Sequence, residues 1–295
     1  MGRHRRAYRH KCVPLMTSSV SMSRIIDVHI HLSELRGDAL RPFAEANGLR
    51  YELKELLHLM EENGVEAGLL LSPPLLDNTI VGNQRVLDLC SRSRGRLFPV
   101  LTVEPSPAAV RECVVTAKRN RGEVKGFKVR LGYVPFYPDD AVFSPLYEFA
   151  ESEGLPVMFH TGDTGLPNAS LRHAHPLNLD ALANARDSLK IVVCHLGNPW
   201  VEDAAELVYK HRNVYADISG LFAVEAKYSS KYIEYLSERV SNAIYFTGSA
   251  DKFLFGTDYP VETYQSALSF VSKLKLHRDD FDRVLYSNAK KVFPI

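Results

Sequence analysis

The chain has 295 residues, with 36 Lys and Arg against 35 Asp and Glu, and is 45% hydrophobic and 10% aromatic. This composition can bury a substantial core and excludes a disordered chain. No run approaches the ~18 apolar residues of a membrane span, and the charge balance gives no reason to expect a nucleic-acid partner.

The charge is unevenly spread. Residues 1–23 hold Arg3, Arg5, Arg6, Arg9 and Lys11 and no acid, whereas residues 24–295 hold 31 basic and 35 acidic residues. The basic segment lacks the apolar core of a secretory signal. It reads as a disordered extension, with Met16 or Met22 as an alternative start, or as a targeting arm. The four cysteines, Cys12, Cys90, Cys113 and Cys194, form no CxxC pair. That spacing argues against a zinc finger or disulfide framework and fits a reducing, cytoplasmic setting.

From Arg24 onward, short apolar runs alternate with amphipathic stretches. Eight strands are predicted: Ile25–Ile30, Ala67–Leu71, Leu97–Val103, Val124–Leu131, Leu155–His160, Leu189–His195, Val214–Ser219 and Phe253–Thr257. Helices are predicted over Glu52–Asn63, Thr79–Arg94, Pro107–Arg121, Ser144–Glu153, Leu179–Asp187, Val201–His211, Val224–Val240, Val261–Lys273 and Asp279–Phe293. Strands apolar on both faces, alternating with helices, indicate a parallel sheet covered by helices. Eight such units over about 270 residues fit a (β/α)8 TIM barrel, a single α/β domain spanning 24–295. A doubly wound open sheet competes, but the first strand ends in His31-Leu32-Ser33 rather than a Gly-rich phosphate turn.

Chemistry-bearing residues gather at predicted strand ends. In Ile26-Asp27-Val28-His29-Ile30-His31, alternation puts both histidines on one face, with Val28 and Ile30 on the other. By itself this HxH also suits a satisfied buried pair. His160 ends the fifth strand, His195 the sixth, and Asp258 follows the eighth. In a barrel these ends converge on one mouth, where active sites sit. For Asp258 alone a turn or capping role is the competing reading. Together the five side chains point to a metal centre.

The ordered set IDVHIH, FHTGD, VCHLG and FGTDYP resembles the amidohydrolase superfamily. The nearest branch is the amidohydrolase-related group that includes aminocarboxymuconate semialdehyde decarboxylase. Tyr286-Ser287-Asn288-Ala289 and His175-Pro176 resemble further stretches of that group. The resemblance implies that His29, His31 and His160 are metal ligands and that Asp258 binds the metal or acts as general base. It implies that His195 is catalytic, orienting water or polarising substrate. Such a donor set suits one divalent ion, Zn²⁺ first and Fe²⁺, Mn²⁺ or Co²⁺ next. The expected partner is a small-molecule substrate, and barrels of this branch often form homodimers.

Lys128 and Arg130 alternate onto one face of the fourth strand. They read as substrate-anion contacts, as part of a binuclear site through Lys128, or as an interior salt bridge with Asp27. His173 and His175 fall in a loop expected at the mouth, where one could touch substrate. Cys194, alternating away from His195, is expected between sheet and helices. Trp200 and Tyr259 are left open as pocket residues, and His58, His211 and His277 read as structural. Substrate choice is expected from the loops Ser33–Asn47, Leu131–Phe143, Thr161–Asn178 and Leu221–Ser230. The expected reaction is hydrolysis of an amide, ester or lactone, with decarboxylation of an unsaturated or aromatic acid as the alternative.

Overall fold

The computed structural model describes residues 24–35, 38–73, 79–223 and 227–295. The basic segment 1–23, and with it any role as an arm, lies outside the described residues. The first half runs β1 (Ile25–His31), α1 (Arg41–Ala46), α2 (Leu53–Glu62), β2 (Val65–Leu71), α3 (Thr79–Arg92), β3 (Leu97–Val103), α4 (Pro107–Arg119) and β4 (Gly126–Val129). It continues with α5 (Ser144–Glu153), β5 (Val157–Phe159), α6 (Leu171–Ala174), α7 (Leu179–Ala185), β6 (Ile191–Val193) and α8 (Val201–Lys210). The last elements are β7 (Val214–Asp217), α9 (Ser230–Phe246), β8 (Phe253–Leu254), α10 (Tyr264–Ser272), α11 (Arg278–Asp282) and α12 (Asn288–Val292).

The eight strands pair in parallel in sequence order. The sheet closes on itself: Val28 N–H donates to Phe255 O at 3.0 Å, and His31 N–H to Tyr259 O at 2.7 Å. This is the expected TIM barrel. Two apolar layers follow from strand alternation. Ile30, Leu70, Leu101 and Phe127 pack outward against helix residues such as Leu56 and Met60. Leu69, Leu71, Val100, Met158 and Val192 fill the interior. Register places Lys128 level with Met158 and Val192, so Lys128 points inward.

The C-terminal segment closes the end opposite the mouth. Lys190, just before β6, donates from Nζ to Val292 O at 3.0 Å. Phe293 joins the interior cluster. The single predicted helix over 279–293 is instead broken by a wider π turn at Arg283–Ser287. The cause is a competing donor: Phe255 N–H takes the Val284 carbonyl at 2.9 Å, removing it from the helical ladder.

Two other expectations shift. Of the helix predicted over Val224–Val240, residues 224–226 lie outside the described residues, and the helix runs from Ser230, where the Ser229 side chain accepts the Tyr232 N–H. The helix predicted from Val261 starts three residues later, because Thr263 and Ser266 form a reciprocal cap.

Strict alternation also fails in β1. The register with β2 slips between Asp27 and Ile30. Val28 therefore joins the interior cluster instead of facing away from His29.

Candidate metal centre

Five side chains from four strand ends meet at the mouth. His29 and His31 come from β1, His160 follows β5, His195 follows β6 and Asp258 follows β8. All five line one cavity of about 490 Å³, together with Lys128 and Arg130. His31 Nε2 lies 3.1 Å and His29 Nε2 3.4 Å from the same oxygen, Asp258 Oδ1. Donor atoms of His29, His195 and Asp258 all fall within 4.8 Å of one another.

The backs of the rings fix their tautomers. His31 Nδ1 faces the carbonyls of Leu71 (3.2 Å) and Ser72 (3.1 Å). Carbonyls only accept, so Nδ1 carries the hydrogen and Nε2 a lone pair. His195 Nδ1 donates likewise to Ser219 O at 3.0 Å. His29 Nδ1 donates to Asp217 Oδ2 at 3.1 Å. Asp217 is itself held by Ser219 Oγ–H at 2.6 Å and by the His195 N–H at 2.9 Å.

The electrostatics agree with this assignment. Burial, with help from the Lys128 charge, lowers the His29 pKa to about 3, so the ring is neutral. Burial works against an ionised Asp258, yet His29, His31 and His195 hold it well below the usual carboxylate range. Burial opposes an ionised Asp217 in the same way, and His29, His195 and Lys128 together hold it below the usual carboxylate range. Asp258 Oδ1, the Nε2 atoms of His29 and His31, and Lys128 Nζ, 3.4 Å from His29 Nε2, thus share one buried space. The donor set, nitrogen plus carboxylate backed by hydrogen-bonded second partners, fits a divalent ion.

The backbone is bent to make this cluster. Asp258 has φ 55° and His195 φ 60°, values that cost non-glycine residues about 1 kcal/mol or more. Gly220 permits the close approach. A Cβ there would stand 2.7 Å from Asp258 Oδ2 and 2.9 Å from His195 Nδ1.

His160 is placed differently from His29 and His31. Its Nε2 donates to Asp163 O at 2.9 Å, and its ring lies 5.0 Å from that of His195. Burial and the neighbouring His195 hold its pKa well below the ordinary value. His195, expected as the catalytic histidine, stands closer to the His29–Asp258 donor group than His160, the expected ligand.

Several expectations are corrected. Cys194 faces the interior, where Lys128 Nζ donates to its Sγ at 2.8 Å. The positive φ at His195 turns that side chain back into the mouth, so both residues face inward and alternation misleads. Asp27 makes no interior salt bridge with Lys128 or Arg130. It accepts from the Thr257 hydroxyl at 2.6 Å and from the His29 N–H at 3.0 Å. Arg130 pairs with Glu104 instead and donates to Pro73 O at 3.1 Å.

His173 and His175 do not line the cavity. His173 lies against Tyr137, with ring centroids 4.7 Å apart. His175 lies 4.7 Å from Trp200 and 3.4 Å from Asp203. Tyr259 is fully buried against Tyr51.

Asp217, Ser219 and Tyr133 are missed by the sequence reading. Asp217 carried a usable signal, an acid at the end of an apolar strand, the same that singled out Asp258. Tyr133 lies 4.8 Å from His160 ring to ring and lines the cavity. It comes from a loop with no periodicity to read.

Residues 26–295 match the family described as amidohydrolase. The chain belongs to the amidohydrolase family. Members of its superfamily are metal-dependent enzymes, and this chain is one of them. No curated protein matches the sequence.

Solved structures of similar fold include an amidohydrolase from Burkholderia multivorans with bound zinc, at 18% identity and TM-score 0.70, covering 91% of this chain and 98% of that one. A probable 2-pyrone-4,6-dicarboxylic acid hydrolase from Acinetobacter baumannii has 17% identity and TM-score 0.68, covering 92% and 100%. A dihydroxybenzoic acid decarboxylase from Polaromonas, with bound manganese and 2-nitroresorcinol, has 17% identity and TM-score 0.64, covering 92% and 97%. Among the described residues, no helix is long and apolar enough to cross a membrane.

Proposed function

We propose that this amidohydrolase is a metal-dependent hydrolase acting on a small amide, ester or lactone. The observation that carries the reading is the convergence of His29 Nε2 and His31 Nε2 on Asp258 Oδ1, at 3.4 and 3.1 Å, with both back nitrogens already spent as donors. His29, His31 and Asp258 would hold one divalent ion, with His195 or His160 as the further nitrogen ligand. Zinc is the first choice, in keeping with the zinc of the Burkholderia neighbour, and manganese the second. A bound divalent ion would lower the pKa of water to ~7 and polarise a substrate carbonyl.

The chain's own groups then divide the remaining work. Asp258, ionised at neutral pH, accepts a proton from the attacking water at its carboxylate. His195, whose Nδ1 donates to Ser219 O, keeps a lone pair on its other nitrogen and, where His160 is the further ligand, accepts a hydrogen bond from the attacking water there. Lys128 Nζ, 3.4 Å from His29 Nε2, places positive charge beside the developing oxyanion.

A second reading is decarboxylation. Lys128 and Arg130 both line the cavity, and a substrate carboxylate needs such cations. Assays of the metal-loaded protein against ester, lactone and amide panels, alongside CO2 release from aromatic acids, separate the readings. Ester, lactone or amide cleavage lost in Asp258→Asn supports the hydrolase. CO2 release without any such cleavage overturns it.

A further inference from the structure

The cavity is lined by two unlike groups of residues. The centre and Lys128 form one. The other comprises Leu40 and Phe43 from the α1 region, Phe222 after β7, Tyr228 just before α9, Tyr232 within it, and Val261. Apart from the tyrosine hydroxyls, this wall is apolar.

The wall is also held in place. Phe222 packs on Phe270 at 5.5 Å, ring to ring. Its N–H donates to Glu262 Oε1 at 3.1 Å. The rings of Tyr228 and Tyr232 stack at 5.3 Å. Tyr235 follows at 6.4 Å and is 54% exposed, so aromatic surface continues from the cavity along α9 to solvent.

We propose that the substrate carries an extended apolar group, and that this group lies on the wall of Phe43, Phe222 and Tyr232 while its carbonyl or carboxylate head meets the centre. The inference rests on the metal-dependent reading of that centre. A short polar substrate would leave the wall in water, whereas an apolar chain laid along it removes apolar surface from water on both sides. The wall and the reacting groups line one and the same cavity, so the wall's occupant is part of the substrate and not a separate partner. Selectivity then comes from chain length, a property that the metal ligands cannot read.

The test uses linear carboxylates from acetate to octanoate as probes. Their binding to the metal-loaded full chain is measured by calorimetry, with metal content determined on the same samples. Affinity is expected to rise about fourfold for each methylene that reaches the wall. In Tyr232→Ala and Phe43→Ala the rise per methylene shrinks while acetate affinity stays unchanged, and Tyr232→Phe restores it. Affinity independent of chain length in protein carrying its metal overturns the wall alone. So does a rise that neither alanine variant reduces. A wall-dependent rise in protein that binds no divalent ion supports the wall and overturns the metal-dependent reading.

Discussion

Asp217 Oδ2 lies 3.1 Å from His29 Nδ1, and both side chains are buried. This contact orients the first histidine of the centre and fixes which nitrogen faces Asp258. Asp217→Asn keeps the shape but removes the charge. It is expected to weaken divalent-ion affinity roughly 10–100-fold, the usual cost of losing a carboxylate behind a ligating histidine. Chelator competition measures this. Unchanged affinity would assign Asp217 to packing only.

His195 and His160 make distinguishable contributions. His195 shares the tight donor group with His29 and Asp258, whereas His160 Nε2 is engaged by Asp163 O. His195→Ala is expected to reduce bound metal more than His160→Ala, as read by metal analysis of dialysed samples. The reverse order would return His160 to the ligand role that the resemblance implied.

Gly220 is expected to tolerate no side chain. Its φ is +57°, and a Cβ would crowd Asp258 and His195. Gly220→Ala should cost about 1 kcal/mol of stability from the backbone alone. It should also lower kcat more than tenfold through displaced catalytic groups, where about 1 Å of misplacement has that scale of effect. Thermal melts and steady-state kinetics read the two parts separately.

One surface cluster sets a pH-dependent contribution to stability. Hydrogen bonds from Lys210 and His211 hold Asp180 below its ordinary value. A carboxylate depressed in the folded state stabilises above its unfolded pKa of about 4, and the gain is lost as pH falls through the folded value. Asp180 is 39% exposed, so solvent screening keeps the effect below about 1 kcal/mol. Asp180→Asn should lower Tm slightly at pH 7, and the difference should shrink as pH falls below about 4. A difference that grows on acidification would refute this assignment.

The barrel was legible because its eight strands are apolar on both faces and its helices begin and end at recognisable signals. The mouth was legible because His29, His31, His160, His195 and Asp258 sit at strand ends, where chain position alone fixes location. Sidedness was less legible wherever the backbone leaves ideal geometry. The register slip in β1 turns Val28 inward, and the positive φ at His195 leaves Cys194 inside. Loop paths carry no period, so nothing in sequence could have told that His173 turns to Tyr137 and His175 to Trp200. Yet all four expected specificity loops reach the cavity, through Leu40, Tyr133, Leu166 and Leu221.

The measurement that bears most directly on the centre is the divalent-metal content of the purified chain after loading and dialysis, beside a folded His29→Ala/His31→Ala variant. A single ion per wild-type chain, absent from the variant, is the expected result. An ion retained at wild-type stoichiometry in the variant, or a wild-type chain that holds none, would contradict the assignment of this mouth as a metal centre.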